Sequence, residues 1–181
     1  MLDADQVPAD RMTDNGSAPA PQPMSEEQLR QLAQQDLMVS ATFARIVSIM
    51  MRSPQYKHLA LTDLEWLVVP PLLLGQFAIL DGKIDGAPLP VPVAVALWAN
   101  VSAGVDQRLS TDLAAPMRLR PDEWRSGQIL WLVDAVGDPN AIPHLMKQLQ
   151  AGVFKERQLK MRAPDAYAQG PQVRSSNGIE A

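Results

Sequence analysis

Residues 53–79, SPQYKHLALTDLEWLVVPPLLLGQFAI, limit the possible folds of this chain more than any other stretch. The stretch opens with a polar turn at Ser53-Pro54. A short helix is predicted over 61–68, with Asp63 in the first turn, where an acid complements the helix dipole. Pro70-Pro71 is predicted to end that helix, because proline lacks an N–H and clashes with the preceding turn. The apolar run LLLGQFAIL that follows predicts a buried strand.

A capping box lies upstream of this stretch. Ser25 is followed three residues later by Gln28, and such a pair can satisfy two free backbone N–H groups at a helix start. Apolar residues then recur at three- and four-residue spacing as far as Ser53-Pro54. This pattern predicts a long amphipathic helix that packs on a sheet.

Downstream, Asp- and Gly-containing turn signals at 81–86 separate two apolar runs and predict a β-hairpin, with strands over about 73–80 and 91–100. The second run is apolar on both faces, as expected of a central strand covered on each side. A third strand is predicted over 128–133, ending at Asp134. The remaining predicted elements are helices over 102–109 and 141–151 and a last strand within 153–162.

This order of elements predicts a single α+β domain, a mixed sheet with helices packed on its faces. We expect the domain to span residues 25–162. The flanking leader over 1–24 is rich in Ala, Pro, Asp, Gln and Gly, with almost no large apolar side chains. In the tail over 163–181, Pro, Gln, Ser, Asn and Gly dominate. Both are predicted to be disordered, because they cannot bury enough surface to offset the entropy of ordering.

Composition excludes several classes of function. A net charge of −4 over 181 residues gives no reason to expect a nucleic-acid partner. The absence of cysteine excludes disulfides, thiolate metal sites and a cysteine nucleophile, and two histidines argue against a zinc site. The sequence shows neither a secretory signal nor an apolar run of about 18 residues. We therefore expect a cytoplasmic protein with no membrane span and no metal.

Three residues are candidates for chemistry, each with a simpler alternative. His58 is either a surface histidine or a general base, since imidazole titrates near neutral pH. Asp134 follows the apolar run ILWLV, where an unpaired carboxylate is costly to bury. It is either a turn residue or the group that orients a base. Ser53 is either a helix-ending residue or a hydroxyl that binds the base or the substrate. His144, predicted within a helix, is interpreted as structural.

Basic residues form two local clusters in an otherwise acidic chain. A solvated face is the simpler interpretation, and the alternative is a dock for an acidic partner. The members are Arg120, Arg125, Lys155, Arg157, Lys160 and Arg162.

Several blocks in the same order carry a resemblance to a known family. They are SPQYKHLALTDLEWLVVPPLLLGQF, PVAVALWANVSAGVDQRL at 92–109, LRPDEWRSGQILWLVDAVGD at 119–138 and VFKERQLK at 153–160. Together they resemble the toxin-activating lysine acyltransferases of the haemolysin-activator type. The resemblance implies a GNAT-like fold and transfer of a fatty acyl group from acyl-acyl carrier protein to internal lysines of an RTX protoxin. It implies no bound cofactor, and it suggests a homodimer, because family members tend to dimerise.

The resemblance also implies site residues. Asp134 matches the family aspartate that closes the WLVD-like strand. The family pattern Ser-x-x-His places a histidine where this chain has Tyr56, and His58 follows two residues later. Either the turn is re-spaced so that His58 is the base, or Tyr56 faces the site and activity is altered. The first is preferred because the only other histidine lies in a late helix.

The resemblance and the candidate residues leave three alternative functions for the protein. The first is the acyltransferase, in which Lys155 and Arg157 would contact the carrier protein. The second is a catalytically weak or inactive adaptor or chaperone of a secreted toxin-like protein. The third is an acyltransferase with another acceptor. The four tryptophans are interpreted as core residues, with the rim of an acyl-accepting surface as the alternative; they are Trp66, Trp98, Trp124 and Trp131.

Overall fold

The computed structural model describes residues 24–83, 86, 88–164 and 171–176. Apart from Met24, the predicted leader lies outside the described residues. So do residues 165–170 and 177–181 of the predicted tail.

In this described part of the chain, five strands form one mixed sheet in the order of the sequence. They are β1 (Phe77–Gly82), β2 (Val91–Val101), β3 (Ile129–Gly137), β4 (Leu159–Pro164) and β5 (Pro171–Ser176). The pairs β1–β2, β2–β3 and β4–β5 are antiparallel, whereas β3 and β4 are parallel. The predicted hairpin is thus confirmed as β1 and β2.

Among the residues that the structure describes, five α-helices accompany the sheet. They are α1 (Glu26–Arg52), α2 (Leu64–Leu67), α3 (Val69–Leu74), α4 (Ala103–Thr111) and α5 (Ala141–Ala151). The predicted capping box begins α1, with the Gln28 N–H donating to Ser25 Oγ at 3.2 Å and the Ser25 N–H donating to Gln28 Oε1 at 2.8 Å. Ser102 caps α4 with a single bond, in which its Oγ accepts from the Val105 N–H.

Helices cover both faces of the sheet. On one face, α1, α2 and α3 pack their apolar side chains against Val95, Leu97 and Val136. On the other, α5 packs Leu145 and Leu149 against the alternate residues of β2 and β3. A third cluster surrounds the buried Trp124 and Trp131. The α+β fold with a GNAT-like mixed sheet, predicted from the sequence, is confirmed.

The Pro-Pro pair does not end the helical region as predicted. Pro70 and Pro71 lie in the first turn of α3, where a missing N–H leaves no helical hydrogen bond unmade. Gly75, in the left-handed conformation with φ of 66°, ends this helix. The strand therefore begins at Phe77 rather than near residue 73.

Two further strand boundaries differ from the prediction. The third strand does not end at Asp134 but continues to Gly137, so Asp134 lies inside β3. The tail predicted to be disordered contains β5, which pairs with β4 along its whole length. The last predicted strand begins at Leu159, because residues 152–156 form turns.

Asp106 fastens α4 to the sheet. Its Oδ1 accepts a hydrogen bond from Trp131 Nε1 at 2.8 Å and from Lys160 Nζ at 2.8 Å. Both charged side chains are mostly buried. Their removal from water makes the pair costly to break from one side only.

We predict that Asp106→Ala lowers the free energy of unfolding by about 2–4 kcal/mol, since it leaves the Lys160 ammonium and the Trp131 indole unpaired. Urea unfolding followed by circular dichroism measures the loss. The control is Arg30→Ala, which removes the exposed Glu26–Arg30 pair and should change stability by less than about 0.5 kcal/mol. Equal effects of the two variants would contradict the prediction.

Candidate active site

A β-bulge interrupts the pairing of β3 with β2. Leu97 lies opposite Asp134, whereas its neighbour Trp98 lies opposite Leu132. Val133 is therefore an extra residue without a partner in β2. Bulges of this kind redirect side chains and occur often beside active sites.

The bulge changes which face of the sheet each following side chain occupies. Leu132 and Ala135 both belong to the cluster beneath α5, although three positions separate them. Regular alternation would have placed them on opposite faces. Val133 packs on the α1 face, and Asp134 joins it there, so two consecutive residues line the same cleft.

This cleft, which we call the Asp134 cleft, has a volume of about 300 Å³. Its opposite wall comes from the turn after α1 and from α2, and Met117 closes one side. The lining residues are Gln55, Tyr56, Leu59, Trp66, Leu67, Met117, Val133 and Asp134. Most of them are apolar. Asp134 is the only carboxylate among them, and no lysine, arginine or histidine belongs to the set.

Burial raises the pKa of the Asp134 carboxyl from 3.8 to about 6, because removal from water disfavours the charged form. A hydrogen bond from the backbone of Ala135 lowers the pKa and offsets part of this effect. The carboxylate is thus ionised near neutral pH but is more basic than an ordinary aspartate. This suits a group that accepts a proton during catalysis.

Tyr56, rather than His58, lines the cleft together with Asp134. Tyr56 ends a short 3-10 turn in which its N–H donates to the Ser53 carbonyl at 3.1 Å. Its side chain is partly buried and packs against the core beneath α1. His58, two residues later, is exposed and is not among the lining residues.

The remaining predicted site residues lie elsewhere. Ser53 lines a second cavity of about 430 Å³, together with Pro54 and Gly137. His144 is exposed on α5 and is not among the residues that line the Asp134 cleft. Of the predicted trio His58, Asp134 and Ser53, only Asp134 lies in this cleft.

The Trp66 wall of the cleft is held by polar contacts. Trp66 Nε1 donates to Asp63 Oδ1 at 3.1 Å, and the Ala60 N–H donates to Asp63 Oδ2 at 2.9 Å. These bonds, the Trp66 bond foremost, lower the pKa of Asp63. The Arg118 guanidinium lies over the Trp66 ring, 5.2 Å from its centroid. Trp66 therefore forms part of the cleft, whereas the other three tryptophans are buried, as predicted for core residues.

Arg162 fixes the loop that carries Met117. Its guanidinium donates to the backbone carbonyls of Leu109 at 2.8 Å, Asp112 at 2.9 Å and Ala115 at 2.6 Å. A single cation thereby satisfies three carbonyls at and beyond the end of α4. This role could not be predicted from the sequence, where Arg162 is one member of a basic cluster with no indication of its partners.

Most residues of the two predicted basic clusters form hydrogen bonds or ion pairs with other residues of the chain. Lys160 pairs with Asp106, and Arg157 donates to Asn100 Oδ1 and to the Gln128 carbonyl. Arg120 lies beside Asp122 and Glu123. Within the described residues, Lys155 and Arg125 are exposed, and their side chains make no hydrogen bond or ion pair. Only these two members present a free charge to solvent.

The described residues contain no group of three or more His, Asp or Glu side chains placed to hold a metal ion. In the same part of the chain, none of the helices combines the length and the apolar character that a bilayer span requires.

We predict that Asp134→Asn stabilises the fold above pH 7 and has little effect near pH 4. The folded state holds the Asp134 proton more tightly than the unfolded chain, so stability falls as pH rises from about 4 to about 6. A shift of this size corresponds to about 3 kcal/mol at pH 8. Urea unfolding at both pH values measures the gain, and the exposed Asp122→Asn is the control. A destabilised Asp134→Asn at pH 8 would contradict the assigned burial.

Comparison with known proteins agrees with the resemblance noted in the sequence. No curated protein matches the chain. The family model described as the RTX toxin acyltransferase family (HlyC), however, matches residues 35–175. The match includes α1 from residue 35 onward, the whole Asp134 cleft and strands β1 to β4. The chain therefore belongs to the RTX toxin acyltransferase family.

Proposed function

We propose that this protein transfers a fatty acyl group from acyl-acyl carrier protein to the ε-amine of internal lysines in an RTX-type protoxin, and so activates the toxin. Family membership supports the acyltransferase class. The carrier-bound donor, the lysine acceptor and a cytoplasmic location are part of the proposal. The observation that carries it is the Asp134 carboxylate, held in a cleft with mainly apolar walls.

The reaction requires a base, and the cleft supplies one. Lysine has an ordinary pKa near 10.4, so its amine is almost fully protonated at neutral pH and must lose protons to attack a thioester. In this proposal the incoming amine meets, beside Asp134, a thioester lodged between Trp66 and Val133, which line the same cleft. Apolar side chains on both walls would receive the first methylene groups of the acyl chain.

The edge of β3 supports the same location for the reacting carbonyl. β3 pairs with β4 only through Leu130–Leu132, so the described part of the sheet leaves Val133 and Asp134 without a β4 partner. Backbone N–H groups at such an irregular edge are suitable donors to a developing oxyanion. In this proposal they contribute to the stabilisation of the tetrahedral intermediate.

Direct transfer from carrier to lysine is the simplest course. The chain contains no cysteine, which excludes a cysteine-linked acyl-enzyme. Ser53 and His58 remain the sequence-predicted partners of Asp134. To take part, the His58 imidazole must reach past Tyr56 into the cleft, and Ser53 must act from the neighbouring cavity.

A specific observation favours a second candidate, the weak or inactive adaptor of a secreted toxin-like protein. Tyr56 stands where the family resemblance implies a histidine, and the nearby His58 is exposed outside the cleft. In this alternative the protein keeps the fold and binds the same partner without efficient transfer. A homodimer is suggested by resemblance alone.

We predict that incubation with long-chain acyl-acyl carrier protein and a protoxin acceptor yields acyl-lysine, detectable by mass spectrometry. Asp134→Asn should lower the rate of product formation at least about 100-fold, because it removes the proton acceptor. Asp122→Asn, an exposed aspartate elsewhere, is the matched control and should retain the rate. Absence of product from the wild type with a correct acceptor would instead favour the adaptor.

We also predict that Lys155→Glu raises the apparent KM for acyl-acyl carrier protein several-fold, and more strongly at low salt, since surface charge chiefly affects association. Lys155 is the better of the two predicted contacts to test, because Arg157 supports Asn100 and the Gln128 carbonyl. The control is Lys147→Glu on the exposed side of α5. An unchanged KM in the Lys155 variant would contradict a carrier dock at this position.

A further inference from the structure

We infer that Asp134 itself accepts the proton of the attacking amine, that the Tyr56 hydroxyl donates a hydrogen bond to the thioester oxygen in the same cleft, and that His58 is dispensable. This inference rests on the proposed function. It departs from the sequence-based expectation, in which His58 is the base and Asp134 only orients it.

The charged and titratable groups around the cleft leave Asp134 without a partner cation. The turn after α1 contributes Tyr56, and β3 contributes Asp134 itself. Behind Trp66, Asp63 and Arg118 are engaged with its indole. Among the described residues, the Asp134 carboxylate forms no ion pair and no hydrogen bond to another side chain.

The lack of a charged partner favours a role for Asp134 as the proton acceptor over a role as the group that orients a histidine. A carboxylate that orients a histidine lies beside an imidazole, and an imidazolium at that distance would lower its pKa. Asp134 instead has a raised pKa, and burial is the largest cause. Its environment is therefore that of a carboxylate that takes up a proton itself.

Tyr56 provides a second titratable group in the cleft, where Gln55 is a further polar side chain. A phenolic hydroxyl donates one hydrogen bond, and a donor placed where negative charge develops stabilises the transition state. The 3-10 turn and the contact of the ring with the core fix the position of Tyr56. Together with Asp134, it gives the cleft an acceptor for the amine proton and a donor for the carbonyl oxygen.

The step balances with these two groups. Lysine loses one proton to solvent on entering as the neutral amine, and its nitrogen forms a bond to the thioester carbon while a second proton passes to Asp134. The oxyanion, bonded to the Tyr56 hydroxyl, then collapses and the carbon–sulfur bond breaks. The carrier thiolate takes the proton from Asp134, leaving an amide, a free thiol and an ionised Asp134.

The test compares three variants in the acyl-lysine assay, with kcat and KM determined separately. We expect Asp134→Asn to reduce kcat at least 100-fold and Tyr56→Phe to reduce kcat about 10- to 100-fold with KM nearly unchanged. His58→Ala should stay within about twofold of wild type and keep the acid limb of the pH–rate profile near pH 6. Urea unfolding of each variant separates loss of activity from loss of fold.

The outcomes separate this inference from the proposed function. If the wild type forms acyl-lysine and His58→Ala loses as much activity as Asp134→Asn, His58 is the base and the inference is wrong. A Tyr56→Phe variant with full kcat removes the role assigned to the hydroxyl. If the wild type forms no acyl-lysine with a correct acceptor, the proposed function itself fails, whatever the variants do.

Discussion

Val133 has no partner in β2, and at this residue the side chains of β3 change face. Without the extra residue, strict alternation would direct Asp134 towards α5, into a cluster formed by Leu132, Leu145 and Leu149. There the carboxylate would meet only packed aliphatic groups. The bulge instead places it at the edge of a cleft that opens beneath the turn after α1, and every chemical role considered for the site depends on this placement.

Separate polar contacts hold the walls of the cleft in place. Asp63 accepts a hydrogen bond from the Trp66 indole. Arg162 donates to backbone carbonyls in and before the loop that carries Met117. Within the described residues, the Asp134 carboxylate forms no ion pair and no hydrogen bond to another side chain, and its burial costs stability at neutral pH. A group that destabilises the fold while its surroundings are carefully organised is typical of a functional site.

Local signals in the sequence were sufficient for much of the architecture. The capping box at Ser25 gave the start of α1, and the hairpin and α5 followed from turn residues and periodicity. The prediction that Pro70-Pro71 ends the helical region was wrong, because proline is also favoured in the first turn of a helix, and here the pair begins α3. β5 was not predicted, because most of its residues are polar and show no hydrophobic pattern. Backbone pairing with β4 holds this strand in the sheet.

The candidate site was predictable only in part. The unpaired acid after an apolar run identified Asp134, but the run ILWLVDAVG is apolar on both faces, so the bulge leaves no trace in its pattern. The exposure of His58 and the inward position of Tyr56 depend on a single 3-10 turn, which spacing alone does not determine. Contacts across long separations, such as Arg162 with Leu109, carry no local signal at all.

The location of the reaction can be measured directly by NMR. An isotopically labelled protein would be titrated with acyl carrier protein that bears a non-transferable analogue of the fatty acyl thioester. If acyl transfer takes place in the Asp134 cleft, the largest shift changes fall on Tyr56, Met117, Val133 and Asp134. Changes confined to the cavity around Ser53 and Gly137, with the Asp134 cleft unaffected, would contradict this assignment.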